Sequence, residues 1–341
     1  MKQYENVTCL AGVRNVSTRP FEPYDELLCK FLNDLSVELR SKDDSSAYPD
    51  VIAFAFWCRK ANITRLKKGF NNKETRLGLG LIFHITPSNV PINFAFSFIF
   101  GLLSGNANII RVPSNPFPQI GIICAAIDEL FAANKYKEIK EMTSFIRYEQ
   151  NDEITGMFSA NCNARMIWGG DETIKNIRKL SVPERCVDIA FSDRYSLCVI
   201  DAPSIVKLEP EELLMLSERF YNDTYLMDQN ACSSPHLIVW KGKGNEEAKE
   251  KFWNAVYHTA KKKYNLADIN AIDKYTMLCQ NAIDFNNIRS FKKHGNYVYR
   301  IDLDTVPDDM DTLHGKFGYF YEYNIDNINS ITHIINTKYQ T

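Results

Sequence analysis

Between Gly78 and Asp201 the chain repeats one rhythm: a short apolar run, a break, then a helical stretch. GLGLIFHI reads as a strand stopped by Pro87-Ser88-Asn89. A helix is predicted from Pro91 to about Leu103, with proline suited to a first helical turn. NANIIRV is a second strand ended by Pro113, and a second helix is predicted from Phe117 to Phe131. TSFIRY and ARMIW are third and fourth strands. Gly169-Gly170-Asp171 then opens a helix over about Glu172 to Leu180, with Asp171 expected as its N-cap. CVDIAF and SLCVID are further strand candidates. This alternation of short apolar strands and helices is the pattern of a parallel α/β sheet with helices on both faces.

On either side the rhythm changes. Leu27, Leu28, Phe31, Leu32, Leu35, Val37 and Leu39 recur at helical spacing between Tyr24 and Arg40. Val51 to Cys58 is too apolar to decide between helix and strand. After Pro203 a long helix is expected over Glu209 to Met227, a short strand at Leu237 to Trp240, and another helix over Glu246 to Tyr264. The expected domain boundary lies near Ala202, giving 1–202 and 203–341, and a chain of 341 residues suits two domains. The last residues are free to return to the first domain.

Composition excludes several function classes. The formal net charge is −2 and no basic block stands out, so nucleic acid is not expected as a partner. The most apolar stretch, Ile92 to Leu103, falls well short of the roughly 20 residues a membrane span needs, so it reads as a buried helix and no membrane span is expected. MKQYENVTCL lacks the apolar core of a signal peptide. Nine cysteines, an odd number without a C-x-x-C pair, argue against a disulfide framework or a structural zinc site. Many free thiols indicate a reducing compartment, which places the chain in the cytoplasm. The six histidines show no metal spacing, so no metal is expected; His84, inside a strand, reads as a satisfied core residue.

Four positions carry candidate chemistry. Cys232, in DQNACSSPH, follows a long amphipathic helix and sits in a polar stretch ahead of a strand, where a side chain can be presented to a cleft. A thiolate there is a strong nucleophile, whereas most free cysteines are buried and inert. Asn89 lies in the turn after the first strand; its amide is placed either to donate to a developing oxyanion or to cap the helix. Gly169 and Gly170 let backbone N–H groups approach a pyrophosphate at a helix N-terminus, or form an ordinary tight turn. Arg111 closes the strand NANIIRV, where a guanidinium binds ribose hydroxyls or a 2′-phosphate, or a surface carboxylate. His236, four residues after Cys232, is a further candidate for proton transfer.

The order of these motifs says more than any one of them. HITPSNVP, GLLSGNANIIRVPS, IWGGDETI, DQNACSSP and KFGYF, in that sequence, resemble the aldehyde dehydrogenase superfamily, and within it the LuxC-like acyl-CoA reductases typified by the fatty-acid reductase of bacterial bioluminescence. The likeness runs from Gly78 to Tyr323. It implies an aldehyde dehydrogenase-like α/β fold, with a Rossmann-like cofactor domain and a smaller α/β catalytic domain. It implies Cys232 as the acylated nucleophile and Asn89, with the Cys232 backbone N–H, as the oxyanion hole. Pro87, Ser88, Arg111, Ser114, Gly169, Gly170 and Phe317 are placed around the cofactor, Phe317 near the nicotinamide ribose, and Gln229 in the segment leading to the nucleophile. The implied reaction is reduction of an acyl thioester, from acyl-CoA or an acyl carrier, to an aldehyde through a cysteine thioester, with an acyl-transferring synthetase as a possible protein partner.

Three departures sharpen that expectation. Oxidising members carry a Glu general base where this chain has Ala190 or Phe191, and a base that activates water serves hydrolysis rather than reduction. The ribose-binding Glu of the superfamily is replaced by Ser114 or Asn115; with Arg111 nearby, this favours NADPH (NADP). The acid before the phenylalanine is absent, Gly315 and Lys316 preceding Phe317, with His314 nearby. The ends are shorter than in full-length members, which leaves the oligomeric state open. Two rival functions use the same cysteine: an acyl-phosphate reductase, and a non-redox acyl-transfer subunit. A catalytically silent interaction module is a third reading.

Overall fold

The computed structural model describes residues 6–70, 74–88, 90–335 and 338–339, and the chain divides into two compact units, 1–192 and 193–341. The first unit holds six strands: β1 (Thr8–Gly12), β2 (Leu81–Ile85), β3 (Ala107–Arg111), β4 (Thr143–Arg147), β5 (Ala164–Gly169) and β6 (Val187–Ser192). They form one sheet in the order β1-β4-β3-β2-β5-β6, parallel except for β1, which pairs antiparallel with β4 at the edge. All five residues of β2 are buried, because helices cover both faces of a central parallel strand. The register sets Leu81 against Ala107 and Ile82 against Ala164. Phe31, Phe83, Phe94, Phe98 and Phe145 lie fully buried in this unit's core. The chain crosses from β2 to β3 and β4 on one side, then returns to place β5 on the other. The strand order therefore reverses between β2 and β5, where an open α/β sheet leaves a crevice at its carboxyl end.

The predicted elements of the first unit are present, with shifts at their ends. The helix after β2 runs Asn93–Leu103, with Ile92 rather than Pro91 at its start. The undecided stretch at Val51 is a helix, Pro49–Trp57, with proline in its first turn. Asp171 is the first helical residue of Asp171–Arg178 and not its N-cap; Gly170 holds that position and supplies no side-chain cap. His84 is buried, with Nδ1 2.7 Å from Ser97 Oγ and Nε2 2.9 Å from Asn108 Oδ1. Burial pushes this imidazole down to about 4. Unfolding restores an ordinary histidine, so the unfolded chain binds more protons between pH 4 and 6.5. Stability is therefore lost as pH falls through that window, by up to about 3 kcal/mol for a shift of this size. Urea midpoints of wild type and His84→Gln at pH 7 and pH 4.5 check it: the gap between them narrows at the lower pH, and an unchanged gap contradicts the assignment.

The second unit holds β7 (Ser196–Asp201), β8 (Pro235–Lys241), β9 (Ile288–His294), β10 (Val298–Leu303) and β11 (Tyr319–Ile325) in the order β7-β8-β11-β10-β9, with only β9 antiparallel. SLCVID thus belongs to this sheet, and the second unit begins at Asp193, earlier than the expected boundary near Ala202. Successive residues of β8 serve opposite faces. Ile238 and Trp240 join Phe252, Trp253 and Phe320, whereas Leu237 and Val239 join Tyr299, Tyr319 and Tyr321. Helices Pro210–Thr224 and Asn245–Lys263 furnish the first cluster, and Met277, Leu278 and Phe285, from and just after helix Asp268–Asp284, pack on the second. The long predicted helix ends at Thr224 and tightens into a 3₁₀ turn, Tyr225–Met227. Ile331, Ile334 and Tyr339 pack on the second unit's own core. Among the described residues no helix is long and apolar enough to cross a membrane, and no three His, Cys, Asp or Glu side chains gather as a metal site.

Candidate active site

The candidate residues divide between the two units, and each half is built differently. In the first unit they sit at the carboxyl ends of β2, β3 and β5. Thr86 Oγ1 donates to the Arg111 carbonyl at 2.6 Å, and Asn115 Nδ2 donates to the Ser88 carbonyl at 3.0 Å. These two bonds tie the loop after β2 to the loop after β3. Pro87 and Ser114 are half-buried and Ser88 is exposed. Asn89 lies outside the described residues.

Arg111 is half-buried, with its guanidinium 4.5 Å from the centroid of the Tyr148 ring. Among the described residues it forms no ion pair, so a cation is held in place by a ring with its charge uncompensated. After β5, a Cβ added to Gly170 would meet nothing within 4 Å, whereas one on Gly169 would press on Thr173 at 3.1 Å. Gly170 leads into helix Asp171–Arg178 without a side-chain cap, leaving first-turn N–H groups for an anion. The acids Asp171 and Glu172 in that turn weaken its pull on a phosphate. The features therefore fit a dinucleotide best through Arg111 and the backbone after β5.

β6 carries Ala190 and Phe191 at the position where a general base was sought, and Phe191 stacks on Trp168 with centroids 3.9 Å apart. Its one acid, Asp188, is taken up by Arg165 in two bonds of 2.7 Å. A carboxylate fixed that way is not a free base.

In the second unit, Cys232 occupies the loop between the 3₁₀ turn and β8. Only Cys232 and Cys279 are exposed among the cysteines, and Cys279 lies within a surface helix. Burial pushes the thiols of Cys124, Cys162 and Cys198 up to about 12, 12 and 11, which makes them inert at neutral pH. The Cys232 loop is held from several sides. Ser196 Oγ donates to the Cys232 carbonyl at 2.6 Å, and Ser234 Oγ donates to the Asp223 carbonyl at 2.6 Å.

The strongest tie was not visible in the sequence. Gln229 is 1% exposed and uses its whole amide. Nε2 donates to the carbonyls of Pro235 (3.2 Å) and Tyr319 (3.0 Å), while Oε1 accepts from the N–H groups of Gly318 (3.0 Å) and Tyr319 (3.1 Å). This stitches the Cys232 loop to the turn before β11. Asp228 and Gln229 have φ of 52° and 62°, and Phe317 and Gly318 have φ of 59° and 85°, so two left-handed turns face each other. The Phe317 N–H donates to the Asp228 carbonyl at 3.3 Å. Position 318 needs glycine twice over: its φ is positive, and a Cβ would come within 2.1 Å of the Tyr297 carbonyl. Phe317 itself is half-buried.

His236 does not act as the proposed proton carrier through Nδ1, which accepts from the Gly315 N–H at 3.1 Å. Its ring lies 5.0 Å from His314 and 5.3 Å from Tyr195, and burial first, then His314, pushes it down to about 4. It is neutral in the physiological range and belongs to an aromatic cluster.

The sequence and the fold have known counterparts. The family model for acyl-CoA reductase (LuxC) matches residues 59–267. A long-chain acyl-protein thioester reductase of Vibrio harveyi is 26% identical over 175 residues, which is 50% of this chain and 34% of that protein, so the match spans about a third of the curated relative's length. Among solved structures, an oxidoreductase of Marinobacter aquaeolei aligns over 93% of this chain and 72% of its own, at 13% identity and a TM-score of 0.65. An aldehyde dehydrogenase of Bartonella henselae aligns over the same shares, at 13% identity and a TM-score of 0.60. The fold is thus that of the aldehyde dehydrogenases.

Proposed function

Because the chain belongs to the acyl-CoA reductase (LuxC) family, we propose that it reduces an acyl thioester to an aldehyde through an acyl group carried on Cys232. One observation carries this reading: Cys232 is exposed on a loop whose backbone is fixed by Ser196 and Gln229. A nucleophile held on a fixed backbone meets its carbonyl without first ordering the loop. The Cys232 sulfur attacks the thioester carbonyl, the bond to the outgoing thiol breaks, and that thiol takes up the proton the cysteine lost. The oxyanion of this step is assigned to the Cys232 N–H and Asn89. A nicotinamide cofactor, when bound, supplies the hydride that converts the acyl group to an aldehyde, and Cys232 then leaves as a thiolate. The absence of a carboxylate at Ala190 and Phe191, with Asp188 held by Arg165, supports reduction over hydrolysis of the acyl-enzyme.

NADPH is the favoured cofactor. The residues that would hold it are Arg111, for the 2′-phosphate, with Pro87, Ser88, Ser114, Gly169 and Gly170 around the dinucleotide and Phe317 toward the nicotinamide end. Arg111 has no carboxylate partner among the described residues, and Ser114 and Asn115 bring no negative charge to repel a phosphate. A charge-assisted bond to phosphate is worth roughly 2 kcal/mol. Arg111→Gln is therefore expected to lower the NADPH to NADH ratio of kcat/KM by at least about tenfold. Consumption of both cofactors against a panel of acyl-CoA and acyl-carrier thioesters checks the whole reading. Turnover with NADPH supports it, and its loss of preference in the variant supports the role of Arg111. Acylation of Cys232 without cofactor consumption would shift the reading to non-redox acyl transfer.

A further inference from the structure

One fully buried amine in the second unit has no place in the acyl chemistry. Lys274, on the inner face of helix Asp268–Asp284, is 0% exposed. Its Nζ donates to the Phe317 carbonyl at 2.7 Å and to the Asn296 carbonyl, and lies 4.7 Å from the centroid of the Tyr299 ring. Among the described residues it forms no ion pair. Burial alone pulls it down to about 7. A lysine desolvated without a carboxylate is a costly way to fill a core position that methionine would fill more cheaply. The cost calls for a role that a methyl group cannot perform.

The bond to Phe317 points to that role. A phenylalanine at φ 59° is strained by roughly 1–3 kcal/mol and keeps that conformation only where its surroundings over-determine it. The backbone around Phe317 is held on both sides. Its N–H donates to Asp228, its carbonyl accepts from Lys274, and the following N–H groups of Gly318 and Tyr319 donate to Gln229. Gln229 thus ties the turn to the Cys232 loop, and Lys274 ties the Phe317 carbonyl to helix Asp268–Asp284.

We propose that Lys274 is a positioning residue for the hydride step, holding the Phe317 turn in its left-handed form so that Phe317 meets the nicotinamide end of the cofactor. This rests on the reading of the protein as a nicotinamide-dependent reductase. The division of labour makes a specific expectation. Removing Lys274 releases the Phe317 carbonyl, while Gln229 keeps the Cys232 loop in place.

The test compares wild type, Lys274→Met and Lys274→Arg by two readouts: the dissociation constant for NADPH from nicotinamide fluorescence, and the rate of Cys232 alkylation by iodoacetamide. Lys274→Met is expected to weaken NADPH binding by about tenfold, with Cys232 alkylation within about twofold of wild type. Lys274→Arg, which keeps a donor, restores most of the affinity. Lys274→Leu, which likewise has no donor, replaces the methionine variant in the same comparison should that variant not fold. An unchanged dissociation constant overturns the proposal. So does an equal loss of NADPH affinity and Cys232 reactivity together with a lower melting temperature, which marks a merely structural lysine. A wild type that binds no dinucleotide overturns the reductase reading itself, and this role with it.

Discussion

Cys232→Ala is expected to abolish acyl-enzyme formation and to lower thioester reduction by roughly a thousandfold or more, the scale on which a covalent nucleophile acts. Cys279, the other exposed thiol, is not placed to stand in for it. Cys279 is exposed within helix Asp268–Asp284, away from any held loop, and the thiols of Cys124, Cys162 and Cys198 are kept protonated by burial. Fold stability should hardly change, since an exposed side chain without a packing or hydrogen-bonding role costs within about 0.5 kcal/mol when truncated. The loop's own bonds run through the Cys232 carbonyl and through Gln229 and Ser234, none of which the substitution touches. Single-turnover acylation and a melting curve on the same preparation check both halves. Retained acylation removes the covalent scheme, and a large drop in melting temperature shows that Cys232 packs as well as reacts.

The largest expected loss of stability comes from a buried carboxylate with no role in the proposed chemistry. Glu322, in β11, is 2% exposed and satisfies three donors. Oε1 accepts from the indole N–H groups of Trp240 and Trp253, each at 2.7 Å, and Oε2 accepts from Arg300 Nε at 2.9 Å. Arg300 is itself 2% exposed and passes the network on to Glu250 at 2.8 Å. Deleting one partner of a buried ion pair strands the other charge at a cost of about 3–5 kcal/mol. Here two indole donors lose their acceptor as well, each worth a further 1–3 kcal/mol at most, by order of magnitude. Glu322→Ala is therefore expected to unfold at much lower urea, by at least about 4 kcal/mol, a large part of a typical domain's stability. Glu322→Gln, which keeps one acceptor for the indoles, should lose less. A loss below about 1 kcal/mol for the alanine variant would show that solvent or Glu250 compensates Arg300.

The contrast between the two units explains what could be read from the chain. The parallel sheet of the first unit was legible because its strands are short apolar runs closed by proline or glycine: LIFHI by Pro87, NANIIRV by Pro113, ARMIW by Gly169 and Gly170. The end of β7 was legible too, but not which sheet it joins, since pairing is a property of tertiary structure; this moved the start of the second unit. β9, IRSFKKH, is an edge strand with mostly exposed residues, so its polarity hid it. Helix Asp268–Asp284 turns Lys274 and Asn281 inward and leaves Ile269, Ile272 and Ile283 exposed, which reverses the usual amphipathic signal. Asn281 earns its buried place by donating to the hydroxyls of Tyr319 and Tyr321 at 2.8 and 2.6 Å.

The candidate site divides along the same line. Cys232, Gln229 and Phe317 lie in recognisable motifs, but the partners that Gln229 and Lys274 reach, 89 and 43 residues away in sequence, carry no local signature. Polar side chains that work through backbone groups at such separation are found only once the fold brings the segments together.

The most direct measurement is intact-protein mass spectrometry of the chain mixed with a long-chain acyl-CoA, before and after NADPH is added. A covalent adduct of one acyl group mapping to Cys232, discharged as aldehyde when NADPH arrives, is the predicted result. An absent adduct, or one that NADPH leaves in place while water or an amine removes it, would contradict reduction through Cys232.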